Sequence, residues 1–231
     1  LPAGAATLAG LLLLLGASGK SAQVPFSGWL PRAMEGPTPS SAIFYGAISV
    51  HIGAYLLLRS EPILQQSSIA STAVIVVGCA TALLGTLAHR TSNDIKTSLA
   101  YATMTQLGII FVEIGLGFTW LALAHIVGHA CVRTMQFLRA PSLLHDHHGV
   151  HAAAGGHLAP TGTHFEKLIP ASAQAWLYRF GMERGYLDAI ADRFVIEPIF
   201  TLAWLLLYFE RPVRHAAPTL ATSHETATEV R

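Results

Sequence analysis

Residues 69–88 read IASTAVIVVGCATALLGTLA, without one charged side chain. The hydrocarbon core of a bilayer is about 30 Å thick and takes roughly 20 apolar residues as helix. This stretch has that length and carries nothing that would hold it in water, so it reads as a transmembrane helix. The neighbouring sequence repeats the pattern. Upstream, residues 1–16 are apolar and uncharged, and Thr38 to Leu58 is a second run that stops at Arg59. Downstream, Ser92-Asn93-Asp94 is a helix-start signal. It opens a run from Ile95 to about Gly117, with Lys96 near one end and Glu113 near the other, and a further run covers Thr119 to Leu138. Between the first two, Pro25, Pro31 and Pro37 leave room only for a short or broken helix over 21–37. The fold class is all-α: a polytopic transmembrane bundle with a broken helix near the N-terminus, the weakening expected at Gly16-Ala17-Ser18-Gly19-Lys20.

Composition supports this and excludes other classes. Of 231 residues, 52% are hydrophobic and 12% charged, half the share of about 25% usual in soluble domains. That apolar content excludes a disordered chain. Fourteen Lys and Arg against thirteen Asp and Glu leave +1, so no basic excess exists to displace counterions, and nucleic acid is not an expected partner. Two cysteines, Cys79 and Cys131, cannot staple a chain of this size, and both read as small core residues. The chain opens on Leu1 inside an uncharged run with no basic stretch before it, which reads as the C-terminal part of a longer protein.

The chain divides into transmembrane helices over 1–140, a polar His-rich loop over 141–174, amphipathic or membrane-associated helices over 175–214, and a flexible tail over 215–231. Ala175 to Val195 reads as amphipathic helix weakened at Gly181 and Gly185, with a break at Glu197-Pro198 before the apolar Ile199 to Phe209. Arg90, Lys96 and Arg139 fall on one side of the bundle, which basic residues mark as cytoplasmic.

Ionisable groups inside apolar runs carry the functional signal. Burying a charge in hydrocarbon costs at least about 2.5–3.5 kcal/mol on insertion scales, so each such group needs a partner, a wet cavity or a task. Lys20 sits at a break, where freed carbonyls require a protein-lined or hydrated cavity. It is either a proton carrier or an interfacial Lys snorkelling to the surface. His125, His129 and Arg133 recur every four residues and form one polar stripe over two helical turns. The stripe can relay protons through the imidazoles, with Arg133 as a fixed charge. It can equally be a packed polar seam or, with no third ligand placed and Arg133 opposed to a cation, a weaker metal site. His51, near the middle of its run, is a further candidate for the polar path. Glu113 reads as a solvated end charge. The histidines at 145, 147, 148, 151, 157 and 164 read as a soluble loop, not a metal centre. Gly19-Lys20-Ser21 lacks the spacing of a phosphate loop, because Leu14 stands where Gly is required. No nucleophile constellation can be placed, and no cofactor or metal is expected.

Several motifs then carry a resemblance. They are Gly19-Lys20-Ser21-Ala22-Gln23-Val24-Pro25-Phe26, Trp29-Leu30-Pro31, Glu35-Gly36-Pro37-Thr38-Pro39, Asn93-Asp94-Ile95-Lys96, Leu99 to Gly108, and His125 to Arg133. Over about residues 10–140 the chain resembles the antiporter-like membrane subunits of respiratory complex I, closest to the subunit 5 or L type. The large subunit of Mrp antiporters and the membrane partner of an inorganic-carbon uptake system belong to the same family. A weaker likeness returns at Tyr186 to Val195, similar to the lead into that subunit's lateral helix. The resemblance implies inverted repeats with broken helices. It implies that Lys20 is the switchable proton carrier, with a carboxylate partner outside this chain, and that His125 and His129 belong to a central hydrated axis. Arg133 stands where the family usually has Lys, and Tyr45 where it often has His; His51, six residues on, is a partial substitute. The implied function is proton translocation in a complex I-like NADH:quinone oxidoreductase of the bacterial inner membrane, with other membrane subunits and the lipid bilayer as partners and no chemistry of its own. A cation/proton antiporter or carbon-uptake subunit, and a non-conducting assembly subunit, are the alternatives.

Overall fold

The structure, a computed structural model, describes residues 2–140 and 169–208. All regular structure among them is helical. Five long helices follow one another: α1 (Ala3–Lys20), α2 (Thr38–Arg59), α3 (Ser68–Thr91), α4 (Ile95–Gly115) and α5 (Thr119–Arg139). The first four are long and apolar enough to cross a membrane. α5 matches α4 at 21 residues and is less apolar because of its polar stripe. Large apolar side chains face outward along the bundle, among them Leu8, Leu12, Val76, Leu83, Val127 and Val132. Such a surface suits lipid or other apolar helices.

The helix starts follow the expected chemistry. The Asp94 carboxylate accepts the Thr97 N–H at 2.7 Å and the Ser67 hydroxyl accepts the Ala70 N–H at 3.2 Å, capping α4 and α3. α3 and α4 lie backbone to backbone. A Cβ on Gly78 would come within 2.5 Å of the Gly108 carbonyl, and one on Gly108 within 2.5 Å of the Gly78 carbonyl. Where lipid removes the hydrophobic drive between helices, this close approach of small residues supplies the packing. Phe111, Met104, Leu107 and Ile110 of α4 fill the core beside it.

The break near the N-terminus lies later than the sequence suggests. α1 runs unbroken through Gly16 and Gly19 to Lys20, and the chain leaves the helix at Ser21–Gln23, with Ala22 in the left-handed region at φ 51°. Glycines weaken a helix only where nothing else holds it, whereas the irregular backbone leading to Pro25 is tied down from outside. The Trp29 indole N–H donates to the Gly19 carbonyl at 3.0 Å, the Gln23 amide donates to the Ser21 carbonyl at 3.0 Å, and the Val24 N–H donates to the Thr81 hydroxyl at 3.0 Å. These bonds replace the helix ladder at membrane depth. One turn follows at Trp29–Arg32 and a tighter one at Ala33–Glu35. The Lys96 ammonium then donates to the Gly36 carbonyl at 2.6 Å and ties the proline-rich entry of α2 to α4.

α2 is irregular in its middle. A wide π-type segment spans Ala42–Ala47, and regular helix resumes at His51. Gly46 in the wide segment lies against the Thr134 backbone of α5, and Gly53 against the Ala17 carbonyl and Ser21 hydroxyl beyond the end of α1. α6 (Ala171–Met182) packs on α3, where Gly181 approaches the Leu87 carbonyl at a would-be Cβ distance of 3.0 Å. Its first residue lies inside the stretch read as loop; the expected His-rich loop over 141–168 and the tail beyond 208 lie outside the described residues.

The chain separates into two compact units, Leu1–Gly185 and a second one from Tyr186. The second begins with α7 (Leu187–Ala191), continues through a π-type turn at Asp192–Ile196, and remains helical over 197–208. The break expected at Glu197-Pro198 is therefore absent. Pro198 cannot donate to a preceding carbonyl, and the widened turn just before it absorbs the mismatch. Cys79 and Cys131 also depart from expectation: both face outward on α3 and α5, since periodicity around each points the buried stripe elsewhere.

Candidate functional site

α5 crosses the bundle with His129 and Arg133 buried and His125 partly covered. The stripe turns toward α2 and α4, where it meets His51, Gln106 and Glu113. Opposite His129 stands His51, the first residue of regular helix after the irregular middle of α2. His51 is 4% exposed and His129 8%. Their rings meet through His51 Nε2 and His129 Nδ1 at 2.9 Å. On the other side of the same imidazole, the Arg133 Nε–H donates to His129 Nε2 at 3.4 Å.

These contacts assign the protons. Arginine can only donate, so His129 Nε2 is an acceptor and neutral His129 holds its proton on Nδ1. That N–H donates to His51 Nε2, which leaves the His51 proton on Nδ1. His51 Nδ1 is buried without a partner at ordinary hydrogen-bond geometry, and the Ala47 backbone, four residues earlier on α2, interacts with the ring. Arg133 thus orders two imidazoles into one polarised pair.

One turn earlier on α5, His125 stands edge-on to His129 with ring centroids 6.3 Å apart. Its Nδ1 lies 2.9 Å from Glu113 Oε1 and its Nε2 lies 3.1 Å from Gln106 Oε1. Gln106 and Glu113 are seven residues apart, which places both on the α5-facing side of α4. Glu113 is therefore not a solvated end charge. Its side chain is 13% exposed, and its second oxygen is buried without a partner among the described residues. Depth counted along the sequence could not show what faced it. The spacing of two polar residues on one face of an apolar run was the available signal for Gln106 and Glu113 together.

Lys20 is placed differently. It is exposed at the end of α1, in a recess of about 310 Å³ lined also by Gly19, Trp29, Phe44, Tyr45 and Ser49. It has no hydrogen bond to any described residue. Near the end of α1, Ser18 is buried with a hydroxyl that has no partner among the described residues, and Ser21 donates to the Val50 carbonyl, next to His51 in sequence, at 2.6 Å. Of the residues singled out in the sequence, the structure brings His51, His125, His129 and Arg133 into one column and leaves Lys20 beside it. Among the described residues no group of three or more His, Cys, Asp or Glu could hold a metal ion.

Comparison with known proteins bears on this arrangement. Residues 3–161 match the family described as NADH:quinone oxidoreductase/Mrp antiporter, TM. The chain belongs to this family. It is 42% identical over 139 residues to the NADH-ubiquinone oxidoreductase chain 5 of Schizophyllum commune, covering 60% of this chain and 20% of that protein. For the chain 5 of Rhizopus stolonifer the identity is 45% over 139 residues, covering 60% and 21%. Among solved structures, the Mrp complex from Dietzia sp. DQ12-45-1b matches at 37% identity with a TM-score of 0.56, over 57% of this chain and 15% of that one. The chain spans about a fifth of the length of the curated relatives it matches. Family membership and the apolar helices together make it an integral membrane protein. Within this member, Tyr45 lines the Lys20 recess, 6.0 Å from the Trp29 ring, while His51 meets the α5 stripe. Six residues of helix turn one position about 120° from the other, and the two side chains serve different faces of α2.

Proposed function

We propose that this chain is part of a proton-translocating membrane subunit of a complex I-like NADH:quinone oxidoreductase, and that its protons move along Lys20, His51, His129 and His125 under the field of Arg133. The observation that carries the reading is the 2.9 Å contact between the buried imidazoles of His51 and His129. Two neutral rings that share one proton, polarised by a cation that cannot release its own, form a segment of a proton wire. The His129 and His125 rings stand edge-on with centroids 6.3 Å apart, and since each of their nitrogens has a partner, a proton passes between them when one of those contacts opens to admit a bridging water. Lys20 joins from its recess as the group able to take up and release a charge at the break. The partners are other membrane subunits of the same assembly and the surrounding bilayer, and the membrane is the bacterial inner membrane. The transmembrane helices over 1–140 form the conducting part.

The likeness to the Mrp complex structure favours a second reading, a cation/proton antiporter subunit with the same wire and a different cargo. Proton translocation by the full-length protein in its assembly, reconstituted in vesicles, tests the proposal. Lys20→Ala is expected to abolish proton transfer with assembly intact, and His129→Ala to slow it. Unchanged transfer in Lys20→Ala removes Lys20 from the wire. A loss of assembled protein alone in His129→Ala makes the stripe a packed seam.

A further inference from the structure

The column does not end at His125. α4 delivers Glu113 to its open side two residues before the helix terminates at Gly115. At the end of the bundle where α4 stops and α5 starts, the Thr119 hydroxyl donates to Glu61 Oε1 at 2.5 Å. Beside them lies a surface recess of about 640 Å³ lined by Glu61, Gly117, Phe118, Thr119, Trp120 and Leu121. We propose that Glu113 is a further proton-carrying residue, the outlet through which the histidine column opens toward the face that bears Glu61. The proposal rests on the reading of the column as a proton wire and adds its terminus.

The hydrogen-bond inventory supports a carrier in place of a fixed ion pair. With Gln106 Oε1 as acceptor, His125 Nε2 holds a proton in every protonation state of the ring. The contact between His125 Nδ1 and Glu113 Oε1 then requires one more proton between them. That proton sits either on the imidazole, against a carboxylate, or on the carboxyl, against a neutral ring. In the transfer step the Nδ1–H bond of the imidazolium breaks and the Oε1–H bond of Glu113 forms. His125 returns to neutral and the carboxylate becomes a carboxyl group. A half-turn of the carboxyl about its Cγ–Cδ bond then carries the protonated oxygen into the buried Oε2 position, which has no competing partner among the described residues, and there the same O–H bond breaks as the proton passes on. A purely structural carboxylate at this depth would be expected to have both oxygens bonded.

Three variants of the full-length protein in its native assembly test this: Glu113→Gln, Glu113→Asp and His129→Gln. Glu113→Gln keeps hydrogen bonding and cannot carry a proton. We expect it to lower proton transfer in sealed vesicles on the order of tenfold or more, with Glu113→Asp retaining a measurable part. Infrared difference spectra between protonated and deprotonated protein should show a carboxyl C=O band that shifts in Glu113→Asp and vanishes in Glu113→Gln. Wild-type transfer in Glu113→Gln while His129→Gln is impaired would overturn the outlet and leave the column standing. Wild-type transfer in both would overturn the wire and the outlet together. If Glu113→Gln fails to assemble, the infrared band decides alone: a band that Glu113→Asp does not shift overturns the proposal.

Discussion

Two regions of this bundle hold ionisable groups at membrane depth, and they solve the problem in opposite ways. Between α2 and α5, His51, His129 and Arg133 are buried and bonded to one another within 3.4 Å. At the end of α1, Lys20 is exposed in a recess, with the bonds around it spent on backbone carbonyls and not on its ammonium. In the first region the charge is part of the packing, so removing a member costs stability. In the second the backbone break is stabilised independently of the charge, so the charge is free to change. The difference teaches that an ionisable group held by side-chain bonds and one left in a recess need different surroundings; in the proposed function the first supplies the fixed field and the second the switchable carrier.

That contrast yields predictions in which stability separates the regions and proton transfer unites them. The largest effect on stability is expected for His129→Leu, which strands the Arg133 Nε–H and His51 Nε2 without partners and should cost about 3 kcal/mol in denaturant unfolding in detergent. His51→Ala should cost somewhat less, about 2 kcal/mol. The double variant His51→Ala/Tyr45→His should not recover it, because residue 45 lines the Lys20 recess; recovery would mean that either position can reach His129. Ser21→Ala should cost about 1 kcal/mol through its lost bond to the Val50 carbonyl and leave proton transfer near wild type. Lys20→Ala should shift stability least, within about 0.5 kcal/mol, while transfer falls to background. A large destabilisation there would erase the contrast.

Much of this organisation was legible from residue order. Apolar runs located the helices, Asp94 announced the start of α4, and the four-residue recurrence of His125, His129 and Arg133 defined a stripe that had to face inward. What residue order could not show was how neighbours compensate. Gly16 and Gly19 suggested a break, yet the break falls at Ser21–Gln23, where Trp29 and Thr81 from elsewhere in the chain and the side chain of Gln23 itself supply the missing bonds. Pro198 suggested another, and the wide turn at Asp192–Ile196 absorbed it. Residue order also could not show the π-type segment over Ala42–Ala47 in the middle of α2. Glu113 was misjudged because depth fixes distance from an interface and not the identity of the facing side chain.

The polarised pair itself can be measured. In full-length protein labelled with nitrogen-15 histidine and held in bilayers, solid-state resonance should find His129 protonated on Nδ1 and bare on Nε2. It should also show a coupling across the hydrogen bond to His51 Nε2 that disappears in His51→Ala. A His129 ring protonated on Nε2, or no coupling between the two imidazoles, would contradict the column and the proton wire built on it.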